Sequence, residues 1–416
     1  MAKYVGIDFG TTNSAVAVAA EDGKVEMVSL PVPGGQSTTW RTILYFEPSG
    51  NLTAGPAAIA RYLETQGEGR LVQSIKSHLA SESFSTTMIC GRRWTLEDMI
   101  AAYLRKLREG CGVELGRRCV IGRPVRYWGA RTAADDARAV SRMREALGKA
   151  GFDEVVFEYE PNGAAARYSA TLDHEELIVV ADYGGGTTDF SVVRVGPRVS
   201  GAAAILATGG IAVSGDAFDA RIIDAVVAPA LGRGSSYRDE MGGEAPVPAW
   251  LYGHLRRWHY LSFLKSADTQ RLLARVVQGT LAPELIDRLV TLIEEDLGLA
   301  LHRGVEGCKV RLSGAKLDRV AVDEGLGLDV AVPRGSFEEW ISEDLSGIDE
   351  TLDQVLADAG VEASQIDRVF ATGGSSLVPA VRQRLIQRFG AHKLVGGDEL
   401  TSVAWGLAVR ARQELS

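Results

Sequence analysis

At 416 residues the chain is long enough for two or three domains, each with a hydrophobic core of its own. Apolar residues make up 46% and charged residues 24%, the balance of a soluble globular protein and not of a disordered one. The formal charge of -9 argues against a general binder of nucleic acid or of anionic membrane, since either polyanion would be repelled by the surface as a whole.

The chain enters a strand at once, "YVGIDFG", with no charged segment and apolar core of a secretory signal before it. No uncharged stretch approaches the roughly 20 residues that cross a bilayer. Cys90, Cys111, Cys119 and Cys308 lie far apart without CxxC spacing, which predicts neither a zinc site nor a disulfide framework and points to a reducing cytoplasm. "KYVGIDFG" and "NSAVAVAA" read as two strands joined by a tight Gly/Thr turn. "TAADDARAVSRMREALGKAG" places Val140, Met143 and Leu147 at helical spacing and stops at Gly151, a C-capping residue. A strand "DEVVFEYEP" follows, then an alanine-rich helix from Asn162 to about Ala170.

After Leu177 the plan repeats with "LIVVADYG" and "DFSVVRVG". "ATGGIAVSGDAFDARIIDAVV" predicts a glycine-rich turn feeding a helix from near Asp216. A mostly helical segment runs from about Ala225 to Leu317, interrupted by "GRGSSYRDEMGGEAPVP", the best candidate for a mobile loop or insertion. "IDRVFATGGSSLVPAVRQRLIQRFG" predicts strand, Gly-Gly turn and a helix from near Ser375, and "TSVAWGLAVRARQEL" a last helix. With no low-complexity linker between them, the halves are expected to pack face to face as two lobes.

The two glycine turns carry the chemistry. The β- and γ-phosphates of a nucleotide need backbone N–H donors at close range, which glycine permits because it has no Cβ. They also need Mg²⁺, a hard cation held by carboxylates, often through its own waters. Two facing hairpins meet both needs, with Asp8 and Asp182 at the metal and Gly10-Thr11-Thr12 and Gly184-Gly185-Gly186-Thr187 around the phosphates. One such turn alone is as readily an ordinary β-turn; its recurrence after a strand and an aspartate in both halves favours the phosphate reading. No GxxxxGK[ST] is present, so this is not a Walker loop. Gly373, Gly374 and Ser375 form a third turn, suited to a phosphate or ribose edge or simply to strand–helix packing.

In this order the three turns resemble the nucleotide-binding half of the DnaK-type heat-shock chaperones, within the actin, sugar-kinase and heat-shock ATPase superfamily. "GIDFGTTNS" is similar to that family's first phosphate motif and "DYGGGTTDFSV" to its second; "GGIAVSGDAFDARI" and "ATGGSSLVP" resemble its later segments. The resemblance implies an α/β, actin-like ATPase fold: two lobes, each with a ribonuclease-H-like five-stranded mixed sheet and helices, closing on ATP or ADP with Mg²⁺. It implies lobe I over 1–176 with a subdomain inserted at about 31–111 and a completing helix at 398–416, and lobe II over 177–397 with a helical subdomain at about 223–334. By the same resemblance Asp8 and Asp182 stand on the metal side, Thr11, Thr12 and Asn13 in the first phosphate loop, and Thr187 beside the γ-phosphate with Asp189 after it. Lys76 matches the lysine that reaches the γ-phosphate and attacking water; Pro124 and Glu160 match the hinge-side proline and interlobe glutamate. Gly215 lies in the later glycine segment, and Glu306, Lys309 and Ser313 match the ribose- and adenine-side residues. Read from spacing alone, Glu306 and Lys309 make an exposed i,i+3 ion pair.

Two departures qualify the match. Val310 stands where the family usually has an arginine packing on adenine, and the chain stops after "VAWGLAVRARQELS", where a peptide-binding domain and lid are expected to be missing. "VIGRPV", "FEYEP" and "GGDEL", with a long segment between Phe218 and Glu306, look most like the stand-alone YegD-type members. Trp250, Tyr252, Trp258 and Tyr260 in that segment either pack an enlarged helical subdomain or offer a surface to a protein partner. The function these readings imply is a slow ATP-hydrolysing, chaperone-like switch. The alternatives are a small-molecule kinase of the same superfamily and a nucleotide-binding scaffold that does not turn over.

Overall fold

The computed structural model describes residues 4–65, 68–169, 172–197, 199, 205–239, 241–257, 261, 264–323, 325–395 and 403–415. Two mixed sheets organise them, and the two have the same plan. In the first, Tyr4–Phe9, Asn13–Ala19 and Val25–Met27 form an antiparallel meander, and Arg118–Arg123 and Glu154–Tyr159 join in parallel on the other side of Tyr4–Phe9. A short strand, Trp40–Arg41, also pairs with Asn13–Ser14, making this sheet six-stranded. In the second, Glu176–Tyr183, Thr188–Val195 and Ile205–Ile211 are the meander and Arg368–Thr372 and Leu394–Val395 the parallel pair.

Parallel strands need crossover connections, and the helices that supply them cover the sheet faces. The central strands are therefore apolar on both faces: Val5, Gly6 and Ile7 in one sheet, and Ile178 through Ala181 in the other, are buried. The crossover helix Ala133–Lys149 starts at a capping box in which Thr132 accepts from the Asp135 amide and Asp135 accepts from that of Thr132. It ends as the glycine predicted. Gly151 has φ +91, its N–H reaches the Gly148 carbonyl at 3.0 Å, and the Phe152 N–H reaches that of Leu147 at 3.0 Å, a Schellman closure. The helix Glu160–Ser169 links Glu154–Tyr159 of the first sheet to Glu176–Tyr183 of the second, and packs Ala164 and Ala165 on the second sheet beside Ile178 and Phe370. The C-terminal helix Val403–Leu415 returns to the first sheet, with Ala404 and Ala408 on Ala15, Ala17 and Ala19, and Leu407 on Val120.

Several local expectations need correction. Of the two readings of "GRGSSYRDEMGGEAPVP", the mobile loop gives way to a hairpin of Ser236–Arg238 and Glu244–Pro246, because Asp239 Oδ1 accepts from the amides of Met241 and Gly243 at 2.9 and 2.8 Å. The helix expected near Ser375 begins at Pro379 (Pro379–Phe389). Pro379 occupies its first position with Val378 extended before it, and Gly374–Leu377 form a separate 3₁₀ turn. The helix placed near Asp216 opens one residue earlier, at Gly215, and the alanine-rich helix opens at Glu160. Of the aromatic quartet, Tyr252 is buried and donates to the Leu231 carbonyl at 3.1 Å, and Trp250 is about half exposed, edge-on to His254. Trp258 and Tyr260 lie outside the described residues, as does "GGDEL". The four cysteines are free thiols, and among the described residues no helix is long and apolar enough to cross a membrane.

Candidate functional site

Asp8 and Asp182 occupy equivalent places, each near the end of the central strand of its sheet, paired with Ala15 and Asp189 across the following turn. The turns themselves are backbone-tight: a Cβ on Gly10 would sit 2.1 Å from the Asn13 carbonyl oxygen. They also meet. A Cβ on Gly185 would lie 2.7 Å from Thr12 Oγ1 and 3.2 Å from Asp216 Oδ1, so the first turn, the second turn and the helix Gly215–Ile222 converge at one place. Asn13 is exposed, and Thr11 and Thr12 are half-buried. Thr187 donates to Asp189 Oδ2 at 2.9 Å.

Lys76 reaches this place from a one-turn 3₁₀ helix, Ile75–His78. Its Nζ stands 2.7 Å from Glu160 Oε1, the side chains being 10% and 19% exposed. Burial works against the ammonium, yet the Glu160 and Asp8 carboxylates together hold it above the ordinary lysine range. Asp8 is pushed up to about 7 by burial, then by Glu160 and Asp182, with Lys76 opposing. Asp182 is raised by burial and by Glu160, against a hydrogen bond from Thr372 Oγ1 at 3.1 Å. Three acidic groups thus share one ammonium, a donor set with charge to spare for a hard dication. Among the described residues no three or more His, Cys, Asp or Glu side chains cluster as a metal cage. Two carboxylates fit Mg²⁺, which dehydrates reluctantly and keeps several waters.

The third turn closes the back of the site. Gly373 has φ +79, and a Cβ there would sit 2.2 Å from the Tyr183 carbonyl oxygen and 3.0 Å from Asp182 Oδ1. Gly374 faces open space, and Ser375 Oγ donates to the Gly184 carbonyl at 3.0 Å. A Cβ on Gly215 would meet Ser375 Oγ at 2.5 Å and Lys309 Nζ at 3.3 Å.

On the helix Gly298–Leu312 the spacing misleads. Lys309 turns inward to Asp219 Oδ2 at 2.8 Å and the Gly215 carbonyl at 3.1 Å, whereas Glu306 sits on the rim with Arg41 of the first sheet at 3.9 Å. Asp219 is raised to about 6 by burial, against Lys309, and its Oδ1 is buried without a hydrogen-bond partner. Ser313 caps the end of this helix, and Val310 is 61% exposed. Sequence reasoning quoted "GDAFDAR" but missed Asp219 as the partner of Lys309 and Asp216 as a wall of the second turn. Thr372, directly before the Gly-Gly pair, was missed as the donor to Asp182. Lys309→Met is expected to lower stability by about 2–4 kcal/mol, read by thermal or denaturant unfolding, because it strands Asp219; an exposed surface lysine would give almost no change.

Two sheets of one topology meeting at paired Asp–Gly–Thr turns define an actin-like, two-lobed fold of the ATPase class. The family model described as Hsp70 protein matches residues 4–233 and 294–413, and the chain belongs to that family. The match covers the family's nucleotide-binding domain, leaving the hairpin and helices of residues 234–293 between its two stretches.

Proposed function

We propose that the protein binds ATP or ADP with Mg²⁺ between its two sheets and slowly hydrolyses ATP to ADP and phosphate. It acts as a chaperone-like molecular switch whose lobe closure is read by a protein partner, for which the helical part of the second lobe is the candidate surface. What carries this reading is the meeting of the two turns at Thr12 and Gly185 with the Lys76–Glu160 pair beside Asp8 and Asp182.

In this reading Gly10, Thr11, Thr12 and Asn13 hold the phosphates from one side and Gly184, Gly185, Gly186 and Thr187 from the other. Gly215, Glu306, Lys309, Ser313, Gly373, Gly374 and Ser375 surround the nucleoside. Asp8 and Asp182 would hold Mg²⁺, through water, and the ion would neutralise phosphate charge. Lys76 and Glu160 orient the water in line with the γ-phosphate; such transfer depends on positioning and electrostatics and needs no covalent intermediate. The free cysteines suit a reducing compartment such as the cytoplasm.

The test is phosphate release from Mg-ATP by the purified protein, with binding followed by calorimetry. Slow release is expected; tight binding without release would favour a scaffold or a kinase awaiting its acceptor. Asp8→Asn and Asp182→Asn are each expected to weaken Mg-ATP binding or turnover by roughly tenfold or more. Their unfolding midpoints should hold or rise, because burial already disfavours both carboxylates. Wild-type binding and turnover in both variants would remove the two-carboxylate site.

A further inference from the structure

Lys76 is carried by a segment with little regular structure of its own. Between the strands Arg70–Gln73 and Thr86–Ile89 the chain has a single 3₁₀ turn, entered through Ser74 at φ +56, a left-handed conformation unusual for a residue other than glycine. Ile75, Leu79 and Ala80 are buried and anchor the turn to the core. Apolar anchoring fixes depth but leaves the carbonyls after the turn to be satisfied, and they are not satisfied by neighbouring backbone in a sheet or helix.

One side chain takes three of them. Arg142, on the crossover helix Ala133–Lys149, donates from Nη1 to the carbonyls of Leu79 at 3.2 Å and Ser81 at 2.8 Å, and from Nη2 to that of Phe84 at 3.0 Å. Its Nε stands 3.2 Å from Glu97 Oε1, with the two side chains 15% and 13% exposed, so the fork is itself fixed from a second helix. One turn earlier, Arg138 donates to the Ala80 carbonyl at 3.0 Å and is held by Asp135 at 2.9 Å. The rigid planar guanidinium suits this work, presenting five N–H donors in fixed directions that a lysine cannot reproduce.

We propose that Arg142 is a positioning residue for Lys76: by gathering the carbonyls of Leu79, Ser81 and Phe84 it fixes the turn that delivers the Lys76 ammonium to Glu160. The proposal deepens the hydrolytic reading and rests on it for its effect on turnover, while the placement of Lys76 is testable without any nucleotide. Catalytic groups must be held within about half an ångström, and a misplacement near 1 Å can cost roughly a hundredfold in rate. Arg142 touches neither the aspartates nor the two turns, so nucleotide affinity should not follow.

The experiment measures acetylation of Lys76 by an N-hydroxysuccinimide acetate, quantified by peptide mass spectrometry, in wild type, Arg142→Met and Arg142→Lys. Arg142→Met is expected to speed labelling of Lys76 about tenfold relative to other lysines, with Arg142→Lys between the two. In the same variants ATP turnover should fall about ten- to a hundredfold for Arg142→Met and less for Arg142→Lys, with the calorimetric affinity unchanged. Wild-type labelling of Lys76 in Arg142→Met overturns the proposal whether or not the protein hydrolyses ATP. A fall in turnover matched by equal loss of nucleotide binding also overturns it, since that describes a general structural brace. Should Arg142→Met not fold, Arg142→Lys decides alone: raised labelling supports the proposal and wild-type labelling overturns it. Absence of hydrolysis in wild type would count against the hydrolytic reading and leave the labelling result to decide on Arg142.

Discussion

Lys76→Met is expected to reduce phosphate release from Mg-ATP at least about a hundredfold while leaving nucleotide affinity within about threefold, because electrostatic stabilisers of this kind act mainly in the transition state. The size follows from the surroundings. The ammonium lies 2.7 Å from Glu160 and is 10% exposed, and it is the cation that offsets Asp8 and Asp182 as well. Losing it leaves Glu160 without its partner in a place where two further carboxylates already repel one another, so stability should also fall, by roughly 2–4 kcal/mol. A second substitution separates the two losses. Lys76→Met with Glu160→Gln removes both charges and should recover most of the unfolding midpoint, since replacing a whole buried pair is close to neutral. It should recover none of the turnover. Recovery of both would mean that the pair only holds the fold together; equal loss of binding and turnover in the single variant would make Lys76 a binding residue.

The pair also marks where reading the sequence succeeded and where it stopped. The two turns were legible because their plan recurs, a strand ending in Asp, then Gly and Thr, then a strand, and the two sheets repeat the same order around them. The partner of Lys309 was not legible: i,i+3 spacing puts the lysine beside Glu306 on the helix, but the rotation of the helix against Gly215–Ile222 sends it to Asp219, and spacing carries no information about a neighbour 90 residues away. Only the helix after the third turn was placed too early, although its signal was present, since Pro379 marks the first position of a helix. The hairpin at Ser236–Pro246 was likewise announced by Asp239 and the Gly242–Gly243 pair. Arg142 had no local signal at all, because what makes it distinctive is a set of carbonyls some 60 residues earlier in the chain.

Gly406→Val is expected to destabilise the protein by about 3 kcal/mol or more, for a reason that lies in backbone contact and not in side chains. The C-terminal helix Val403–Leu415 crosses the helix Glu160–Ser169 where two glycines face each other: a Cβ on Gly406 would sit 1.9 Å from the Gly163 carbonyl oxygen and 3.0 Å from its Cα. Nothing flexible can give way there. The same helix cannot retreat, because on its other side a Cβ on Gly6 would already meet the Ala408 nitrogen at 2.2 Å, so the helix is pressed between the first sheet and the helix Glu160–Ser169. Separating the two helices must also move Glu160, three residues before Gly163, and with it the partner of Lys76; any folded fraction of the variant should turn over ATP poorly. Gly148→Ala supplies the contrast, since Gly148 lies within the helix Ala133–Lys149 with open space where its Cβ would go. That change should stabilise by about 0.5–1 kcal/mol, as alanine suits a helix better than glycine and constrains the unfolded chain. Denaturant unfolding of the two variants side by side reads opposite signs if the crossing is as close as its glycines imply. A Gly406→Val midpoint equal to that of wild type would mean that the helices cross farther apart, and the coupling of this crossing to Glu160 would lose its physical basis.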